Sequence, residues 1–204
     1  YIFIILICIG CASKKEIVAP KFESKIVSNE KLSCRAIFVD ADKVWLGMDK
    51  GRYGFYDKKK DTLVVKTIQS VSNTTEFRSI AATKDAIFIL AVGNPAKLIR
   101  IDKQSLQETI VYQEENEKVF YDSMQFVDNL NGFAMGDPTE DCLSFIKTTD
   151  GGNSWEKISC ANFPKVSEGE AAFATSNTNL IVKGKSIFMV SGGKKSRVFV
   201  SHDF

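Results

Sequence analysis

KTTDGGNSWEKI, residues 147–158, carries Thr148, Asp150, Gly152 and Trp155 in the spacing S/T-x-D-x-G-x-x-W. The apolar run Leu143–Ile146 leads into it and Trp155–Ile158 leads out. Between them stand Asp150, Gly151, Gly152 and Asn153, four residues that favour turns. An Asp side chain can accept hydrogen bonds from backbone N–H groups a little further along. Glycine takes positive φ without steric cost. Trp155 adds a large apolar plate, expected to fold back over the turn. The stretch therefore predicts a β-hairpin tip whose polar groups are satisfied locally, and Asp150 reads as a turn-former rather than a catalytic acid.

Outward from this hairpin the chain repeats. Each copy holds an apolar strand ending in Gly and, some ten residues later, an apolar strand ending in Asp. The glycines fall at Gly47, Gly93, Gly136 and Gly192, and the aspartates at Asp57, Asp102, Asp150 and Asp203. One more short strand precedes each copy: 36–39, 78–81, 123–127 and 171–175. Another follows each of the first three: 62–68, 108–112 and 155–159. Four short strands recurring at this period are the mark of a β-propeller blade. The expected fold is all-β: a propeller of four-stranded antiparallel blades over residues 32–204, four of them visible and the last incomplete. No stretch has a convincing helical period. Ser201 and Asp203 repeat the first half of the Thr148–Trp155 pattern, so the chain reads as an arc of a larger ring, expected to have seven blades.

Apolar residues make up 44% of the chain and charged residues 25%, with a net charge of +2. That is ordinary for a folded protein, and the basic residues are scattered among acids, which excludes a nucleic-acid footprint. Phenylalanine, valine, isoleucine and threonine favour strands. Residues 1–10 are almost wholly apolar and Cys11 follows Gly10. A run of that length is too short to span a bilayer and fits a signal-peptide core. Gly10-Cys11 is similar to a bacterial lipobox, with Cys8 standing where leucine is usual. Cys11 is the expected lipidation site, and residues 12–31 read as a polar tether ending in a poorly defined strand. An ordinary secretory signal is the alternative; both place the mature chain outside the cytoplasm.

Three cysteines follow. Cys142 and Cys160 lie symmetrically about the centre of the 147–158 turn, so an antiparallel hairpin sets them opposite one another. A disulfide and a pair of buried thiols both remain open at this level. Cys34 reads as a small core residue. The single histidine, His202, is not near two cysteines in sequence, so no metal site is expected. His202 is also a poor base for a Ser-His-Asp triad.

The spacing at 148–155 is that of the Asp-box of bacterial neuraminidase repeats. Together with Phe120-Tyr121-Asp122-Ser123, Gly132-Phe133-Ala134-Met135-Gly136-Asp137-Pro138 and Gly169-Glu170-Ala171-Ala172-Phe173-Ala174, it makes residues 33–204 resemble the Asp-box propellers related to photosystem II stability and assembly factors. The resemblance is narrower to an exported bacterial branch, some members of which carry an oxidoreductase label. It implies a non-enzymatic binding or assembly module, with no cofactor and a protein or glycan partner, anchored to a membrane through its lipid. Charged residues near the strand ends, Arg78, Asp122, Asp137, Glu170 and Arg197, are the candidate binding residues if they converge, or blade-corner ties if they do not. Asp-boxes also occur in sialidases and xyloglucanases, and Asp122 with Glu170, near Tyr121, is the conceivable acid/base pair of a glycoside hydrolase. The chain holds five arginines and shows no Arg-Ile-Pro entry motif, which weighs against that reading. No G-x-G-x-x-G follows a strand, and no C-x-x-C follows the signal, to support redox chemistry.

Overall fold

The computed structural model describes residues 19–173 and 177–203. Cys11 and the apolar run before it lie outside them. The chain begins its first sheet at Cys34, and residues 19–33 belong to no strand. Blade 1 is β1 (Cys34–Asp40), β2 (Lys43–Met48), β3 (Arg52–Asp57) and β4 (Thr62–Thr67). Blade 2 is β5 (Phe77–Ala82), β6 (Ala86–Ala91), β7 (Ala96–Asp102) and β8 (Glu108–Glu114). Blade 3 is β9 (Tyr121–Phe126), β10 (Gly132–Gly136), β11 (Ser144–Thr148) and β12 (Glu156–Lys157). In each, the strands pair antiparallel in chain order. The innermost strands stand side by side, β1 by β5 and β5 by β9.

The fourth repeat departs from the expected plan. The strand expected at 171–175 is cut to β13 (Glu170–Ala171), which pairs with β16 (Gly192–Gly193). The inner strand is instead β14 (Leu180–Lys183), packed by β9 and paired to β15 (Ser186–Val190), which pairs in turn with β17 (Val198–Ser201). The physical reason is backbone conformation. Phe173 and Asn177 both have positive φ, 61° and 53°, which breaks an extended run. Gly193 permits the local pairing at β16, because a Cβ there would lie 2.2 Å from the Gly169 carbonyl oxygen. The strand expected at 155–159 is also shorter: after Lys157 the chain turns into a 3-10 helix, Cys160–Asn162.

Among the described residues, three apolar cores lie between the four repeats. Trp45, Tyr53, Phe77, Ile87 and Ile99 fill the first. Phe88, Leu98, Tyr121, Met124 and Trp155 fill the second. Phe133, Leu143, Phe145, Ile187 and Phe199 fill the third. A sheet that is apolar on both faces can bury them only by leaning on a neighbour at each side. Cys34 is exposed rather than in the core. It begins β1, and no blade stands in front of blade 1 among the described residues.

The 148–155 turn follows its sequence closely. Thr148 Oγ1 donates to Asp150 Oδ1 at 2.8 Å and accepts from Gly152 N at 3.0 Å. Ser154 donates to Asp150 through N at 3.0 Å and through Oγ at 2.7 Å. Partial burial opposes the Asp150 charge, but the Ser154 and Thr148 hydrogen bonds prevail and hold its carboxyl at about 2. Ser201 and Asp203 repeat the first contact, Ser201 Oγ donating to Asp203 Oδ1 at 2.9 Å. Trp155 packs against the same two rings, Phe88 and Phe126, that a Cβ on Gly152 of the turn would meet. Its ring meets Phe88 of blade 2 at 6.3 Å and Phe126 at 5.7 Å, both edge-on, so the box anchors one blade to the one before.

Candidate functional site

Antiparallel order decides which residues share an end of the arc. The start of each inner strand, the end of each second strand and the start of each third strand all lie at one end. The hairpins after the third strands, including the 148–155 turn, lie at the other. Arg78 and Asp122 sit near the starts of β5 and β9, and Glu170 is in β13. Asp137 follows β10, and Arg197 precedes β17. All five candidates therefore belong to one end.

The inner strands share a further device there. Register shifts occur between Cys34 and Ala36, between Phe77 and Ser79, and where Tyr121 and Ser123 face Gly136 and Met135. Each is a β-bulge at the second residue of the strand: Arg35, Arg78 and Asp122. A bulge leaves one residue out of the ladder and re-aims its side chain, commonly at a rim or a site. Arg35 was not among the expected residues. Setting Cys34-Arg35-Ala36 under Phe77-Arg78-Ser79 and Tyr121-Asp122-Ser123 would have found it.

The five candidates fall into two groups: Arg78 and Asp137 both act on Asp122 electrostatically, and Arg197 pairs with Glu170. Arg78 donates to Glu76 Oε2 from Nε at 3.1 Å and from Nη2 at 2.9 Å, and its guanidinium lies 5.7 Å from the Phe120 ring centre. Asp137 Oδ1 accepts from Ala172 N at 2.8 Å, tying blade 3 to the fourth repeat. Glu170, itself buried, takes a bidentate grip from Arg197, 2.8 Å at each oxygen, and accepts Ser167 N and the Ser191 hydroxyl. Arg197 chiefly, with Ser167 and Ser191, holds the Glu170 carboxyl down at about 2 against desolvation. The Arg197 guanidinium also rests 4.7 Å from the Phe199 ring.

Asp122 differs from the rest. It is fully buried, and neither carboxylate oxygen has a hydrogen-bond partner. Burial first, and then the Asp137 charge, raise its carboxyl to about 8, with Arg78 pulling the other way. At neutral pH it is mostly a neutral acid held behind the surface. Tyr121 is equally buried, its hydroxyl donating to Glu114 at 2.8 Å. Glu170 is clamped as an ion, Asp122 is sealed from solvent, and Tyr121 faces an inter-blade seam. None of the three is presented as a glycosidase acid, base or nucleophile must be.

Two hollows open at this end. One of about 440 Å³ is lined by Thr74, Thr75, Glu76, Arg78, Gly93 and Lys97. The other, about 500 Å³, is lined by Lys118, Asp137, Glu140, Asp141, Glu168 and Glu170. Cys142 and Cys160, bonded as a disulfide with Cα atoms 5.5 Å apart, close the outer hairpin of blade 3 at the same end, just past its last strand pairs.

No protein-family model matches the sequence, and no curated protein matches it. Solved structures do match in fold. The computationally designed Ika4 protein aligns with 90% of this chain and 100% of its own, at 14% identity and a TM-score of 0.58. YCF48 bound to D1 peptide aligns with 83% of this chain at 12% identity and a TM-score of 0.53. The WD40 repeats of RRP9 align with 86% at 10% identity and a TM-score of 0.55. The fold is a β-propeller. The chain spans about half the length of the YCF48 and RRP9 chains, 52% and 53% respectively.

Proposed function

We propose that this propeller arc is a non-enzymatic protein-binding or assembly module, and that its partner docks on the end carrying Arg35, Arg78, Asp122, Asp137, Glu170 and Arg197. One observation carries the reading. Strand topology sends the bulged inner-strand residues and the charged strand ends of all four repeats to the same end, where two polar hollows open. Loops held by a rigid scaffold are where binding residues concentrate. A solved propeller of similar fold, YCF48, is bound to a D1 peptide, which is in keeping with a peptide or protein partner.

The finer reading is an exported Asp-box propeller similar to photosystem II assembly factors, held at the cell envelope through a lipid on Cys11. The 148–155 turn supports the repeat class, and residues 1–11 support the export. Labelling with radioactive palmitate checks the anchor: label on the native chain and none on Cys11→Ser is expected, and equal label on both removes it.

A photo-crosslinking amino acid tests the binding end. It is placed at Lys118 or Glu140 on the bulge end and at Lys59 or Lys84 on the opposite end, all exposed. In the native envelope, adducts of one discrete mass are expected from the first pair alone. Adducts of equal yield from both ends, or turnover of a sialoside or xyloglucan that Glu170→Gln abolishes, would overturn the reading.

A further inference from the structure

The chain reaches its first sheet by a defined route. Lys25 pairs with Asp61 in the hairpin between β3 and β4, and the Tyr56 hydroxyl donates to the same carboxylate. That hairpin lies at the end opposite the bulges. Further along, Arg52 Nη2 donates to the Lys31 carbonyl at 3.3 Å, and Asp49 N donates to the Ser33 carbonyl at 3.0 Å. Asp49 follows β2 and Arg52 begins β3, at the bulge end. Between these two fixings the segment runs beside β4, where Val27 and Glu30 share a groove with Leu63, Val65 and Thr67. The steps from residue 25 to residue 33 cover about 26 Å of extended chain, enough to pass a strand of about 20 Å and the turn beyond it. The chain therefore enters the fold at the hairpin end and climbs the height of blade 1 before β1 starts.

The two ends also differ in how their polar groups are satisfied. At the hairpin end, Asp57, Asp102, Asp128 and Asp150 each accept a backbone N–H from a residue two to four positions on. Those turns are closed on themselves. At the other end the bulges re-aim Arg35, Arg78 and Asp122, and the two polar hollows open.

Cys11, the expected lipidation site, stands 14 positions before Lys25. A chain of that length reaches at most about 50 Å, and a relaxed coil of the same length spans about 20 Å. With the lipid in the bilayer, the hairpin end is the part of the fold nearest to it. The reverse pose needs the tether stretched past the full height of the blade, which forfeits most of its conformations.

We propose that the hairpin end faces the membrane and the bulge end faces away from it. The partner that docks there is then a soluble protein, or a domain standing clear of the lipid, and not a membrane-embedded segment. This rests on the lipid anchor and the binding end proposed above, and adds the direction from which the partner comes.

Energy transfer to the bilayer tests the orientation. The lipid-bearing chain is reconstituted in vesicles of phosphatidylethanolamine and phosphatidylglycerol that carry a headgroup acceptor of short transfer range. A donor dye is placed on Lys60→Cys or Lys84→Cys at the hairpin end, and on Lys118→Cys or Glu140→Cys at the bulge end. Cys34 is a free exposed thiol, so all four are made in a Cys34→Ser chain. The four positions are exposed and lie outside the strands, and an unchanged far-ultraviolet circular dichroism spectrum shows that the fold survives. Transfer from the hairpin end is expected to exceed that from the bulge end about twofold or more, since a strand's length of ~20 Å separates them. Inserting about 20 Gly/Ser residues after Lys15 is expected to bring the two values together, because the longer tether admits the reverse pose. Equal transfer from both ends without the insertion, or stronger transfer from the bulge end, overturns the inference and leaves the anchor standing. A difference that the insertion leaves unchanged shows that the tether does not set the pose, and overturns it too. A chain that leaves the vesicles as readily as Cys11→Ser removes the anchor, and the orientation with it, while the binding end still stands.

Discussion

Asp122 is a carboxyl that folding leaves without a partner. An unfolded aspartate titrates near ~4, whereas burial and the charge of Asp137 move this one to about 8. The folded state therefore holds a proton that the unfolded state has released between roughly pH 4 and 8. Its contribution to stability is fully present below that window and fades as pH rises through it. Asp122→Asn keeps the shape of the neutral acid and removes the titration. Urea unfolding of the native chain should show stability falling by a few kcal/mol, about 2–4, from pH 5 to pH 8.5 relative to Asp122→Asn. Parallel curves for the two proteins would mean that Asp122 is charged and solvated. Glu170 has the opposite sign. Arg197 holds its folded carboxyl near 2, so its stabilisation is present above about pH 4 and is lost as pH falls toward 2. The residue types at 122 and 170 were legible as charged groups near strand ends. Their divergence into a neutral buried acid and a clamped ion was not, because Asp122 is set by its burial and then by the charge of Asp137, and Glu170 by Arg197, 27 positions away.

At the scale of the element, the 148–155 hairpin shows what a short motif fixes. Every polar partner of Asp150 lies within four residues of it, so its geometry was readable from spacing alone. Gly152 carries two constraints at once. Its φ is +81°, and a Cβ there would sit 2.3 Å from Phe88 Cε1 of blade 2. Gly152→Ala should cost about 2–4 kcal/mol, from left-handed backbone strain together with overpacking. Thermal melting checks it: a fall in Tm of some 5–15 °C is expected for a chain of this size, and a shift within 2 °C would show that the turn is free to move. The motif predicted the first constraint and missed the second, since Phe88 comes from another repeat. The fourth repeat teaches the same limit differently. An apolar run at 171–175 has the pattern of a strand, but the positive φ at Phe173 and Asn177 and the close approach of Gly193 to Gly169 give its role to Leu180–Lys183.

Across the whole molecule, cohesion comes from seams between blades. One seam is polar as well as apolar: Glu114 of β8 accepts from Tyr112, from Tyr121 of the next blade at 2.8 Å, and from Lys157 of β12. Removing its charge takes the counter-charge from Lys157, which keeps its bond to Thr139 Oγ1, and weakens two phenol contacts. Glu114→Gln should lower unfolding free energy by about 1–3 kcal/mol, with the loss felt by blades 2 and 3 together. Hydrogen exchange read blade by blade is the check; faster exchange confined to β8 would show that the seam does not couple the blades. A stack whose units contact only their neighbours is expected to transmit such a loss sideways.

The amino-acid order by itself determined the strand period, the all-β propeller class, the local turn at 148–155 and the identity of the charged residues at strand ends. These rest on interactions within a dozen residues or on alternation along a strand, and both are written into adjacent positions. Only the tertiary structure decided that bulges at 35, 78 and 122 share one end, that Asp122 is sealed while Glu170 is gripped, and that Trp155 packs on Phe88 of the blade before. Those facts depend on how separate blades lean together. That leaning is set by contacts between residues of different repeats, which no single stretch of the chain records.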